Sequence, residues 1–233
     1  MDQDYGLWPL VIINSALLIV FAASFFHPRT TRDWRAMGAY SAFIVALFTE
    51  MYGVPLTIYL LSGWLGSRFP ALQANHSGGH LWNDLIGWKG DPHVSPFHLA
   101  SYAVLAAGFW LIAAAWTQLL RSAREDRLAT TGPYAWVRHP QYLGFLAIMV
   151  GFLLQWPTIP TLVMFPVLVY VYWRLARTEE REVATRYPDA WPAYADGVRR
   201  LLPRRPSGVF AVEPGPGPAA PPTTGMRDRH VHP

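Results

Sequence analysis

The chain has no cysteine, which excludes disulfides and thiolate metal sites. It is also poor in charge. Asp, Glu, Lys and Arg make up 15% of its 233 residues, against about 25% in soluble domains. Lysine is nearly missing: of 19 Lys and Arg residues, Lys89 is the one lysine. No Gly-rich dinucleotide fingerprint sits between a strand and a helix, so a Rossmann-type site is excluded. No nucleic-acid partner is expected.

What the chain has in excess is apolar residues, 52% of the total, gathered in long blocks. Blocks of that kind point to membrane spans. Five runs are visible: Leu7 to Phe26, Met37 to Leu65, Pro96 to Leu120, Gln141 to Trp156 and Thr158 to Leu175. Asp2 and Asp4 precede the first run in place of a basic n-region, so it reads as a span and not as a cleaved signal peptide. Arg29, Arg32 and Arg35 follow run one. Arg121, Arg124, Arg127 and Arg138 follow run three. The chain after run five is Arg-rich. The positive-inside bias places 29–36, 121–140 and 177–233 on the cytoplasmic side, and the 66–95 loop outside.

The expectation is an all-α, polytopic integral membrane protein of about five spans, with a cytoplasmic C-terminal cap. It would be a multi-pass protein of the inner (cell) membrane with the lipid bilayer as a partner. Residues 1–95 form the N-terminal spans and a His-rich outer loop, 96–205 a core, and 206–233 a disordered tail rich in Pro, Gly, Ala and Thr. His230 and His232 in the tail read as solvated. The last two runs make a short helical hairpin. Gln141 to Trp156 is 16 residues, or about 24 Å of helix, against a hydrocarbon core of about 30 Å. Pro157 and Pro160 mark the turn, and Pro166 is expected to kink the fifth run.

Chemistry is concentrated at the mouth of that hairpin. Tyr134, Arg138, His139 and Tyr142 lie on one side of it, and Arg174, Arg177, Glu179, Glu180 and Glu182 on the other. Arg174 and Glu179 are read as neighbours on the helix surface. Carboxylates suit a cationic ligand, Arg an anion, and aromatic faces an adenine or a sulfonium. The competing reading is a belt of interfacial anchors.

Gly132-Pro-Tyr-Ala-Trp-Val-Arg-His-Pro-Gln-Tyr-Leu-Gly144, an apolar hairpin and then Arg177-Thr-Glu-Glu180 resemble a membrane methyltransferase family. That family includes isoprenylcysteine carboxyl methyltransferase and the phospholipid methyltransferases. The resemblance covers about 97–203. It implies S-adenosylmethionine as cofactor and methyl transfer to a lipophilic or small-molecule acceptor. Carried over by position, Tyr134, His139, Pro140, Gln141 and Tyr142 would contact the cofactor. Glu179 would be the carboxylate partner, with Glu180 as the alternative. Asp126-Arg127-Leu128-Ala129 matches an upstream cofactor-lining strip, which adds Leu128 and Ala129. Tyr187-Pro-Asp-Ala-Trp-Pro-Ala-Tyr194 keeps the aromatic spacing of the family's lid, with Pro and Trp replacing Gly and Tyr.

For catalysis, an anionic acceptor needs an Arg to hold its charge. Arg174 is the candidate, with Arg138 and Arg177 as competitors. An amine acceptor would need a base, for which Glu180 or Glu182 would serve. Two features fall outside the resemblance. Glu50 is an ionisable residue within a span and reads equally as a candidate functional residue or as a buried brace against Asn14, Tyr40 or Tyr102. His76, His80, His93 and His98 in or beside the outer loop offer the alternative function, a non-enzymatic membrane protein that binds metal there. Trp82 and Trp88 are expected to dip into the interface.

Overall fold

A computed structural model describes residues 5–25, 31–57 and 81–202. His76, His80, the far end of the second run and the tail lie outside the described residues. Among the described residues the fold is helical. Its elements are α1 (Trp8–Phe25), α2 (Thr31–Phe48), α3 (Leu81–Leu85), α4 (Pro96–Arg124), α5 (Pro140–Gln155), α6 (Ile159–Arg186) and α7 (Trp191–Gly197). A π turn, Thr49–Gly53, extends α2. Two helices, α4 and α6, are long and apolar enough to cross a membrane, and α1 and α5 are shorter apolar helices.

Local sequence sets the helix ends. The Ser95 hydroxyl caps α4 by accepting from the His98 N–H at 3.3 Å, and Pro96 fills the first turn, where its missing N–H costs nothing. Arg121 and Arg124 in the last turn complement the helix dipole. Asp126 then takes a left-handed φ of 45° and stops the helix. Thr158 opens α6 with a capping box to Thr161. The helix runs unbroken past Pro166 for 28 residues, about 42 Å. The polar stretch 174–182 therefore lies within one continuous helix.

The short α5 leans chiefly on α4, and touches α6 far less. Glycines allow that approach. A Cβ on Gly144 would meet Ile112 Cγ1 at 2.5 Å and the Gly108 carbonyl at 3.0 Å, and one on Gly108 would meet Ile148 Cγ1 at 2.8 Å. Small residues that let backbones approach are the main source of helix pairing where lipid is as apolar as the side chains. Aromatic contacts near the start of α5 link it to α6. Tyr172 stacks on Tyr142 and on Phe145, and its hydroxyl donates to the Ala36 carbonyl at 3.1 Å, which draws in α2. Tyr40, Phe43, Ile44 and Leu47 of α2 complete this core.

Glu50 is buried in the π turn, but its partner differs from those expected. Its Oε2 accepts from the Thr57 N–H at 3.0 Å, and the Thr57 hydroxyl accepts from the Ile159 N–H at 2.9 Å. Asn14 bonds within its own helix, to the Leu10 carbonyl, and Tyr102 is exposed. The π turn redirects the chain so that Glu50 ties it to the start of α6. Trp82 also departs from a free interfacial anchor, because its indole N–H donates to the Leu153 carbonyl at 2.8 Å.

Gly144→Val is expected to lower the melting temperature of the detergent-solubilised protein, because overpacking of this kind costs about 1–3 kcal/mol. Melting unchanged from wild type would overturn the close α4–α5 approach.

Candidate active site

The Arg-His-Pro segment is held from two directions. Gly132 adopts φ +62°, which starts the 3-10 turn Gly132–Ala135 and swings the chain back under α4. Farther on, residues 137–139 are pinned by the returning C-terminal segment. Val137 pairs with Arg199, the Arg138 N–H donates to the Arg199 carbonyl at 2.9 Å, and the His139 N–H donates to the Arg200 carbonyl at 3.2 Å. Pro140 then begins α5. His139 stands at the cap position without capping; its ring is committed elsewhere.

Both ring nitrogens of His139 face carboxylates. Nδ1 lies 3.2 Å from Glu179 Oε2, and Nε2 lies 3.2 Å from Glu180 Oε1. Two acceptors on one imidazole are satisfied together by the doubly protonated ring. Burial alone would push His139 down. The bonds to Glu179 and Glu180 outweigh it and hold the imidazole above its ordinary value. The ring stacks on Tyr142, whose hydroxyl bonds to Glu179.

Glu180 is the most heavily partnered group. Arg200 Nε donates to its Oε1 at 2.8 Å and Nη2 to its Oε2 at 2.5 Å. Arg138 Nε lies 3.3 Å from Oε1. Burial would raise this carboxyl. The bonds from His139 and Arg200 and the charge of Arg138 overcome burial and bring it down to about 2. Arg138 also donates from Nη1 to the Ala195 carbonyl at 3.4 Å and lies 5.6 Å from the Trp191 ring centroid.

These groups face a cavity of about 220 Å³. Its walls bring together most of the residues expected from sequence: Leu128, Ala129, Tyr134, Arg138, His139, Glu179 and Glu180. Tyr187, Trp191 and Tyr194 add aromatic walls, and Leu119, Ala123 and Val183 apolar ones. At the rim, Arg186 pairs with Asp126 at 2.7 Å. Tyr134 is buried, bonds to Gln141, and is pushed well above the usual phenol value by burial and then by Glu179. Its carbonyl accepts from the Tyr194 hydroxyl at 2.8 Å.

Pro140, Gln141 and Tyr142 stand behind the wall and do not line the cavity. Arg174 is exposed and lines neither this cavity nor the one described below. The reason is helical phase. Five residues at 100° each put Arg174 about 140° from Glu179, so the two are not surface neighbours. Arg177 stacks over Trp173 at 4.7 Å instead. Arg200 was not anticipated. Its role depends on the chain's return from α7, which no local pattern in the sequence reports.

A second cavity, about 600 Å³, lies on the other side of Arg138. Leu143 and Leu146 of α5, Val169 and Trp173 of α6, and Leu201 and Leu202 give it an apolar lining. Among the described residues, Arg138 is the one on the wall of both cavities; the 194–200 return contributes Tyr194 to the first and Arg199 and Arg200 to the second.

Residues 95–185 match the model of the isoprenylcysteine carboxyl methyltransferase (ICMT) family. The match spans α4, α5 and nearly all of α6, and it agrees with the resemblance carried by the Arg-His-Pro and Glu-Glu elements. Proteins of that family are membrane-integral methyltransferases that in general use S-adenosylmethionine. No curated protein and no solved structure matches the chain. For the metal-binding alternative, no group of three or more His, Asp or Glu side chains that could hold an ion occurs among the described residues. His93 bonds to Asp91 at 2.9 Å, and His98 is buried at the start of α4.

The two shifted groups set a stability profile. His139, raised, contributes below about pH 6.5 and loses its contribution as pH climbs through its elevated value. Glu180, lowered, contributes above about pH 4.5 and loses its contribution as pH falls towards about 2. The melting temperature is expected to be flat between those limits and to fall on the alkaline side. His139→Gln should flatten the alkaline limb; an identical alkaline slope in both proteins would refute the paired imidazolium.

Proposed function

We propose that the protein transfers a methyl group from S-adenosylmethionine to a lipophilic acceptor at the cytoplasmic face of the membrane. The observation that carries this reading is the pair of cavities that meet at Arg138, one polar and aromatic, the other apolar. The smaller cavity fits the cofactor by its donor set. Glu179, half-exposed towards the cavity, offers a carboxylate to an ammonium or sulfonium. Tyr187 and Trp191 offer faces to an adenine or a sulfonium. Leu128, Ala129 and Val183 exclude water from it.

When bound, the cofactor supplies an electrophilic methyl: the acceptor's lone pair forms the new bond to carbon while the carbon–sulfur electron pair returns to sulfur. The chain's part is alignment, and fixed geometry of this kind is worth up to roughly 7–11 kcal/mol. Leu143, Leu146 and Trp173 hold the hydrocarbon part of the acceptor, which enters sideways from the bilayer. Arg138 holds the reacting end where the cavities meet. Arg174, the first choice from sequence, lines neither cavity. Glu180, ionised and pinned by three cations, is a poor proton acceptor at neutral pH. That favours an acceptor that already carries its negative charge, a carboxylate or thiolate, over an amine that needs a base.

Titration of the detergent-purified protein with S-adenosylmethionine is expected to show binding that His139→Ala and Glu179→Ala each weaken at least tenfold; unchanged affinity in both would sink the site. Labelled-methyl transfer on membranes then identifies the acceptor. Leu146→Trp, which fills the apolar cavity, should raise KM for that acceptor and leave cofactor affinity alone; an unaltered KM would remove the cavity from the acceptor path.

A further inference from the structure

Glu180 attracts more positive charge than it needs. Its Oε1 lies within 3.3 Å of groups from Arg138, His139 and Arg200. Of these, Arg200 alone takes both oxygens, in the fork-to-fork geometry that makes an Arg–carboxylate pair strong and directional. Arg138 by contrast is loosely held. Its Nε approaches Oε1 at 3.3 Å without hydrogen-bond geometry, and its Nη1 bond to the Ala195 carbonyl is long at 3.4 Å. Arg200 lies beyond the segment that matches the ICMT family, on the strand-like return that also pins residues 137–139 through backbone bonds.

We propose that Arg200 is a positioning residue of the active centre: by chelating both oxygens of Glu180 it keeps that carboxylate from capturing Arg138 and from turning the His139 ring away from Glu179. The Arg138 guanidinium then stays on the wall between the two cavities with charge to offer an acceptor. His139 keeps one nitrogen on each carboxylate, and Glu179 keeps its orientation towards the cofactor cavity. Residues 198–200 are thereby a working part of the site, although they lie outside the matched core. This inference rests on the methyltransferase reading for its functional consequence, but not for the contact network itself.

The test is a double-mutant cycle on the full chain in detergent, with Arg200→Gln, Glu180→Gln and the double variant, plus Arg200→Lys. S-adenosylmethionine is the titrant, and melting is followed in the same four proteins and wild type. Loss of hydrogen bonds to a charged group corresponds to about ten- to hundredfold in affinity. Arg200→Gln is expected to weaken cofactor binding by that factor, and Arg200→Lys, which keeps the charge but not the fork, by less. In the Glu180→Gln background, Arg200→Gln should have little further effect. A merely structural contact would lower the melting temperature while the folded fraction binds with wild-type affinity, and that result overturns the proposal, as does an undiminished effect of Arg200→Gln without Glu180. Should wild type bind no S-adenosylmethionine, the methyltransferase reading fails separately. The melting temperatures then decide, with non-additive losses upholding the Arg200–Glu180 coupling and additive losses overturning it.

Discussion

One carboxylate organises this protein. Glu180 sits where a loop, a long helix and the returning C-terminal segment converge, and it is ionised because three cationic groups surround it. A buried carboxylate without such partners would be neutral or would destabilise its surroundings. Here the same contacts that keep it charged also fix the directions of Arg138 and His139. The site is therefore built around an ion cluster whose members hold one another, and removal of one member leaves uncompensated charge in a half-buried place.

The helical scaffold serves that cluster by setting distances. α6 carries Glu179 and Glu180 on a rod that starts at the Thr158 cap and is tied to the π turn through Thr57 and Glu50. α5 carries His139 at its start and is fixed laterally against α4 by glycine contacts. The rod and the short helix meet at the Tyr142–Tyr172 stack, one to two turns from the ions. Positional freedom at the site is thus limited by packing far from it. Glu50 contributes to this at the opposite end of α6, as a brace on that helix.

Much of the site was legible in the sequence, and the reasons for the failures are physical. Arg138, His139, Glu179 and Glu180 could be read because a loop–helix start and a Glu pair flank one apolar hairpin, so that topology alone brings them together. Leu128 and Ala129, from the upstream strip, also line the cavity. Arg174 was misplaced because nearness in sequence was taken for nearness on a helix, where a step of five residues turns through about 140°. Gln141 and Tyr142, expected as cofactor contacts, stand against wall residues: Gln141 bonds to Tyr134, and Tyr142 to Glu179. Arg200 could not be read at all, since its partner lies 20 residues away across a turn and a short helix. The α4–α5 pairing was hidden for a similar reason, because glycines in an apolar run do not announce which neighbour they admit.

The two adjacent glutamates show how one site divides charge between two tasks. Glu180 is saturated by Arg200 on both oxygens and spends its charge on architecture. Glu179, one residue earlier and about 100° around the helix, keeps a more exposed carboxylate, steadied by His139 and Tyr142. Both line the cavity, and Glu179 is the more exposed of the two. Because His139 bridges the two, the electrostatic state of the architectural carboxylate reaches the ligand-facing one through a single ring. In the methyltransferase proposed above, a site arranged in this way would offer a negative face to a sulfonium and a cationic edge, Arg138, to an anion. That division of charge suits the alignment of two charged partners that the proposed methyl transfer requires.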